Sequence, residues 1–390
     1  MIKYSVGIDI SSEEFYACVS TIDKGQRVKV KATRKFANTM TGFNHFNEWV
    51  IKNHKHKEIP LFFCMEATGV YHEQCALYLH EKGYNVSIIL PNRAKQYLNS
   101  VGLKSKNDKI DARGLAQMGA EQVLDLWQPM GAYFYRLRTL TRQQQSLQET
   151  KTRYCNQLHA INHSMYQDEL ILDQLSDSIR HIKRQIKSIE KAIITHIEQD
   201  ATVYRKVVNI CKVKGLGVLT VAVILAETNG FALFKNKRQL VSYAGYDVIE
   251  NQSGKHVGKT RISKKGNSRI RRILHLPAFS VVQYKQRPFI QLYERTLQKH
   301  RKKMKSYVAV QKKLLVIIYS LWKKDVAYDP QFGIEKSKNE NENTGEQEQK
   351  PSSQSSFVEA DWNDKKVASV NTDATQGRHT VELSQFASSQ

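Results

Sequence analysis

Apolar residues in the first hundred positions recur in short blocks separated by polar ones. YSVGIDI (4–10) has the density of a buried strand, and residues 14–20 and 27–33 fit strands that pair with it as a meander. A helical stretch follows over 39–56. LFFCME (61–66) reads as another buried strand, 70–82 as a helix ended by Gly83, NVSIIL (85–90) as a strand and 108–121 as a helix. Strands that first pair and then alternate with helices predict a mixed α/β sheet.

The pattern changes after this. From Ala132 to Lys214 there is neither Gly nor Pro, as long helices require. Leu172, Leu175, Ile179, Ile182, Ile186, Ile189 and Ile193 alternate in steps of three and four, a heptad seam. Leu137, Leu140, Leu147, Tyr154, Leu158 and Ile161 repeat it more weakly, interrupted by Gln144 and Lys151. A helical hairpin turning near 163–169 satisfies both stripes. It serves equally as a spacer within one chain or as a dimerisation arm. Residues 205–325 read as largely helical. Residues 331–390 are rich in Ser, Asn, Gln and Glu, a composition that predicts disorder. The expected domains are 1–128, 129–204, 205–328 and an acidic tail, 329–390.

Charge narrows the function classes. The 390 residues carry 60 Lys+Arg against 37 Asp+Glu, a net +23. Six Lys+Arg against ten Asp+Glu leave the last sixty residues at −4, so the first 330 hold +27. Such an excess predicts a polyanionic partner, because phosphates neutralised by Lys and Arg release condensed counterions. Five cysteines without C-x-x-C spacing argue against zinc and for reduced thiols. The N-terminus lacks the build of a signal peptide. The apolar runs 218–226 and 314–322 are about half the ~20 residues that a membrane span needs. A cytoplasmic protein without a membrane partner is expected.

Four acids stand where metal-dependent phosphodiester chemistry would need them. Such sites use converging carboxylates to hold two Mg²⁺ ions about 4 Å apart, and Mg²⁺ prefers oxygen ligands. Asp9 ends the first strand, where a carboxylate among apolar residues costs burial energy. Glu66 ends LFFCME. Asp108 and Asp111 in KNDKIDARGLA are three apart at a helix start, on one face. The plain structural roles are a turn former for Asp9, a surface residue for Glu66, an N-cap for Asp108 and a dipole partner for Asp111.

Farther on, KGLGVL places Gly215 and Gly217 before an apolar helix. This is either a helix-hairpin-helix element with amides for a phosphate or an ordinary helix–turn–helix of the core. Between Asn251 and Tyr293 there is no acidic residue, while Lys255, Lys259, Arg261, Lys264, Lys265, Arg269, Arg271 and Arg272 cluster. A solvated face mixes signs, so a block of one sign favours nucleic acid. Lys299–Lys305 forms a second basic block.

VGIDIS, MEATGVY (65–71), LPNRAKQYLNSVGLKSKNDKIDA (90–112) and, later, Ala244-Gly245-Tyr246, Ser253-Gly254 and ISKKGN (262–267) together resemble the DEDD-type transposases of bacterial insertion sequences. That family is related to the Piv DNA invertase and to recombinases guided by a bridge RNA. Asn107, Tyr246 and Val248 depart from its more usual Thr, Leu and Pro.

The resemblance implies a RuvC-like variant of the ribonuclease H fold, with a helical hairpin and a mainly helical basic C-terminal domain. It implies that Asp9, Glu66, Asp108 and Asp111 are ligands of Mg²⁺ (two ions, with Mn²⁺ as a substitute) and that Ser253 is a nucleophile. From the residues alone Ser253-Gly254 is a turn. The resemblance further implies DNA strand cleavage and exchange at element ends and target, a structured noncoding guide RNA, and a homodimer or homotetramer. The alternatives are a RuvC-like endonuclease that uses water and a noncatalytic nucleic-acid-binding protein.

Overall fold

The computed structural model describes residues 1–67, 69–102, 107–254, 256–258 and 260–331. The expected tail therefore lies almost wholly outside the described residues.

The chain opens with a meander of β1 (Lys3–Ile10), β2 (Glu14–Ile22) and β3 (Val28–Ala37). It continues through α1 (Met40–Asn53), β4 (Leu61–Glu66), α2 (Glu73–Glu81), β5 (Asn85–Ile89), α3 (Pro91–Ser100) and α4 (Asp108–Glu121). The strands form one sheet in the order β3-β2-β1-β4-β5. The meander pairs are antiparallel, whereas β4 runs parallel to β1 and β5 parallel to β4. This is the expected mixed α/β sheet, with β1 at its centre.

Alternation along β1 decides what covers each face. Tyr4, Val6, Ile8 and Ile10 point to one side and pack with Phe43, Phe46 and Val50 of α1 and Cys75, Ala76 and Leu79 of α2. Ser5, Gly7 and Asp9 therefore share the opposite side, which α4 covers. A Cβ on Gly7 would overlap the Ala112 carbonyl and the Ala116 amide, and one on Gly119 would overlap the Ser5 hydroxyl. Glycine at position 7 lets the helix backbone lie directly on the strand. The order of these approaches, Ala112 and Ala116 on Gly7 and then Gly119 on Ser5, makes α4 antiparallel to β1.

Two local expectations change. The helix expected over 70–82 is 73–81, because Gly69 takes φ +55° and residues 69–72 form a turn. The unanticipated α3 has Pro91 in its first turn, where a missing N–H costs nothing.

The hairpin consists of α5 (Ala132–Asn162) and α6 (Glu169–Glu198). Ile179, Ile182, Ile186 and Ile193 of the seam are buried, while Leu172 and Leu175 nearer the turn are half-exposed. The seam is thus covered largely within the chain. At its root Leu137, Ile193 and Ile197 join the core of the C-terminal helices.

There α7 (Ala201–Cys211) restarts after α6 without Gly or Pro. The Asp200 carboxylate accepts from the Thr202 and Val203 amides at 2.9 and 3.0 Å and caps the new helix. Then come α8 (Val218–Thr228) and α9 (Lys237–Tyr243). The expected largely helical course is interrupted next by two short strand pairs. β6 (Val248–Ile249) pairs with β9 (Arg261–Ile262), and inside them β7 (Gln252–Ser253) pairs with β8 (His256–Val257). Helices α10 (Ser268–Ile273), α11 (His275–Gln283), α12 (Arg287–His300) and α13 (Lys303–Lys324) complete the body. Among the described residues no helix is long and apolar enough to cross a membrane, and the five cysteines are free.

Candidate catalytic site

The parallel register Gly7↔Cys64 and Ile8↔Met65 puts Asp9 and Glu66 next in line, at the C-terminal ends of neighbouring strands. Both point to the α4 face, since Ile8 and Met65 fill the opposite core. Both are half-buried. Because α4 is antiparallel to β1, its first turn lies over this same end of the sheet and carries Asp108, exposed, and Asp111, half-buried. One end of one face thus holds all four acids, delivered by two strands and one helix.

The N-cap of α4 is Asn107, whose side chain accepts from the Ile110 amide at 2.9 Å. That removes the capping role as an explanation of Asp108, although the helix dipole still favours acids in this turn. Among the described residues no three His, Cys, Asp or Glu side chains stand close enough to hold a metal ion in this conformation. The donor set itself, four carboxylates and no sulfur or imidazole, is of the kind Mg²⁺ takes.

The meander adds a cation to this face that no linear pattern marks. Lys35 registers opposite Tyr16, and Tyr16 opposite Asp9. The Lys35 ammonium lies 2.5 Å from the Glu14 carboxylate and 5.7 Å from the Tyr16 ring centre.

Ser253 lies in the inner hairpin pair, exposed, opposite His256, with Gly254 turning at φ +55°. Lys255 and Lys259 lie outside the described residues. Arg261, Lys264 and Lys265 on the returning limb are exposed.

The remaining arginines of the basic block have partners inside the protein. Arg271 donates to the Ala244 carbonyl at 2.8 Å, and Arg272 pairs with Glu149. Arg269 stands 3.9 Å from Glu227. Gly215 (φ +93°) lets the turn before α8 lie on α11, where a Cβ would come 2.8 Å from that of Ser280. Gly217 precedes α8 with open space where a side chain would be.

Glu227 organises this half. It is 3% exposed and accepts from Arg142 at 2.8 and 3.0 Å and from the Asn267 amide at 2.8 Å. Burial pushes its carboxyl up, but the Arg142 and Asn267 hydrogen bonds outweigh this and hold it below the usual carboxylate range. Asn267 also caps α10 through the Arg269 and Ile270 amides. One helical turn from Arg142, Arg138 pairs with Glu73 of α2 at 3.2 Å. Helix α5 is thereby tied both to the sheet domain and to the base of the Ser253 hairpin. A lone acid in the apolar run VAVILAET was the available signal for this clamp, since a buried carboxylate requires partners.

A family model described as a DEDD-type IS110 transposase matches residues 6–166, and that of the IS116/IS110/IS902 transposase family matches 208–294. The pilin gene-inverting protein of Moraxella lacunata is 29% identical over 84% of this chain and 98% of its own length. A probable family 20 transposase of Pseudomonas aeruginosa is 21% identical over 71% of this chain and 83% of its own. Among solved structures, Thermus thermophilus RuvC shares 13% identity, covering 30% of this chain and 93% of that one, with a TM-score of 0.25. With one transposase model over the carboxylate face and another over the helical body that carries Ser253, the chain belongs to the DEDD-type, IS110-related transposases.

Proposed function

We propose that this protein cuts and rejoins DNA strands as an insertion-sequence recombinase, with Asp9, Glu66, Asp108 and Asp111 as the metal-holding carboxylates and Ser253 as the nucleophile. The observation that carries the proposal is the placement of all four acids at one end of one sheet face by β1, β4 and α4. Mg²⁺ held there, as two ions or with Mn²⁺ in its place, would withdraw charge from the scissile phosphate.

The chain's own groups supply the rest. The Ser253 hydroxyl attacks phosphorus, a Ser–O–P bond forms, and the bond to one bridging oxygen breaks. The proton lost by the serine ends on the freed strand hydroxyl. Attack by a hydroxyl of the second DNA reverses these events and joins the exchanged strands. A hairpin tip presents Ser253 to an extended strand without a wall of side chains around it. Exposed Arg261, Lys264 and Lys265, with Lys255 and Lys259, hold the backbone, and Gly215 and Gly217 offer amides beside α8.

Domain limits near 128, 204 and 328 separate these tasks in the proposal. Guidance by a structured RNA, and a dimer or tetramer that assembles composite sites, complete it. The inverting relatives from Moraxella fit DNA exchange. Glu66→Gln and Ser253→Ala test the assignment on purified protein with junction DNA. Both lose strand cleavage under the proposal. Cleavage retained only by Ser253→Ala assigns the site to a water-using nuclease, and cleavage unchanged in both removes the chemistry from these residues.

A further inference from the structure

The meander brings a cation onto the face that holds the four acids, and neither family resemblance nor composition assigns it a role. We propose that Lys35 is a substrate-binding residue of the strand-cleavage site, which holds the DNA phosphate next to the scissile one on the β3 side. The inference rests on the carboxylate site proposed above.

Three observations support it. Lys35, Tyr16 and Asp9 occupy one row across β3, β2 and β1, so their side chains emerge on the same face. The Tyr16 ring and the Glu14 carboxylate, 2.5 Å from Nζ, hold the ammonium on that face. The hydrogen bond that Lys35 donates to Glu14 is the main influence that raises its pKa, and the Asp108 charge adds to it, so the cation stands within the field of the α4 first turn.

The spacing suits a DNA strand. Two strand separations of about 4.8 Å place the Lys35 backbone some 10 Å from Asp9. Phosphates of one strand recur at about 3.4 Å of helix axis. A strand whose scissile phosphate sits over Asp9 and Glu66 therefore brings a neighbouring phosphate within reach of the Lys35 side chain. A purely structural role is a poor account of this lysine. Its ion pair with Glu14 leaves the two side chains 47% and 43% exposed, and such pairs add little to stability.

The test is cleavage by full-length protein with Mg²⁺ and RNA transcribed from the element's flanks, comparing wild type, Lys35→Met, Lys35→Arg, Asp9→Asn and Glu66→Gln. The substrates are ordinary DNA and a series with a neutral methylphosphonate at single positions flanking the cut. Lys35→Met should melt with wild type yet cut ordinary DNA about tenfold or more slowly, as loss of a charge-assisted phosphate contact predicts. Lys35→Arg should recover most of the rate. At one methylphosphonate position wild type and Lys35→Met should become equally slow, because each removes the same contact. Wild-type rates for Lys35→Met, or one constant wild-type-to-mutant ratio across every methylphosphonate position, would overturn the role of Lys35. If Asp9→Asn and Glu66→Gln are dead in that same experiment, the carboxylate site survives the loss. If those two cut normally, the site and the Lys35 inference fall together.

Discussion

Asp9 and Glu66 are half-buried at strand ends, so their amide replacements keep volume and hydrogen-bonding shape while removing charge. Asp9→Asn should therefore abolish cleavage and leave the melting temperature close to wild type, which thermal denaturation beside a cleavage assay reads directly. Gly7 is the opposite case. Gly7→Ala forces a Cβ into the backbone of α4, and overpacking of this kind costs about 1–3 kcal/mol or more. It should lower the melting temperature and, by lifting the first turn of α4 off the sheet, also reduce cleavage.

Glu227 allows a pH test. Its folded carboxyl lies below the usual range. Its ionised form therefore stabilises the fold fully above that range, and the stabilisation is lost as pH falls through the folded value. Denaturation of wild type against Glu227→Gln should show a stability gap at neutral pH that narrows in acid. Arg142→Ala leaves Glu227 buried with one partner fewer. It should cost about 3 kcal/mol, the low end for a broken buried pair, because Arg142 is 40% exposed.

At the level of elements, the sheet was legible because its signals are local and redundant. Apolar blocks gave the five strands, and spacing gave the helix that carries Asp108 and Asp111. Of the Ser253 hairpin only the turn at Ser253-Gly254 was legible. Its strands are two residues each, and VIENQSGKHVGKTRI offers too few apolar positions for a period to register. Its frame comes from distant residues instead: Asn267 on Glu227, Arg271 on Ala244, and the Lys264 and Ser263 amides on the Gly245 and Asp247 carbonyls.

The break between α6 and α7 was hidden for a related reason, since Asp200 ends one helix and caps the next without a breaker residue. Lys35 was passed over because its value depends on register across three strands, which a linear reading does not contain. The four acids themselves were found in sequence by resemblance as much as by spacing. Their common face follows from Gly7 and the parallel pairing of β1 with β4.

For the whole molecule, +27 on the first 330 residues makes binding strongly salt-dependent. The exposed hairpin cations should carry part of this, while Arg271, half-buried and donating to the Ala244 carbonyl, should carry less. Replacing Arg261, Lys264 and Lys265 together by Gln should flatten the plot of log affinity against log salt by up to about 0.9 per residue. Arg271→Gln should change stability more than slope.

Helix α5 links the halves, with Arg138 on Glu73 and Arg142 on Glu227 one turn apart. In the proposed reaction the carboxylates gathered on the sheet and the serine presented from the helical body act together. The most direct measurement is therefore covalent trapping: protein, Mg²⁺, junction DNA and RNA from the element's flanks, resolved on a denaturing gel. A serine nucleophile working with the carboxylates gives a protein–DNA adduct that disappears in Ser253→Ala and in Asp9→Asn. Cut DNA without any adduct, at equal yield from wild type and Ser253→Ala, rules that nucleophile out.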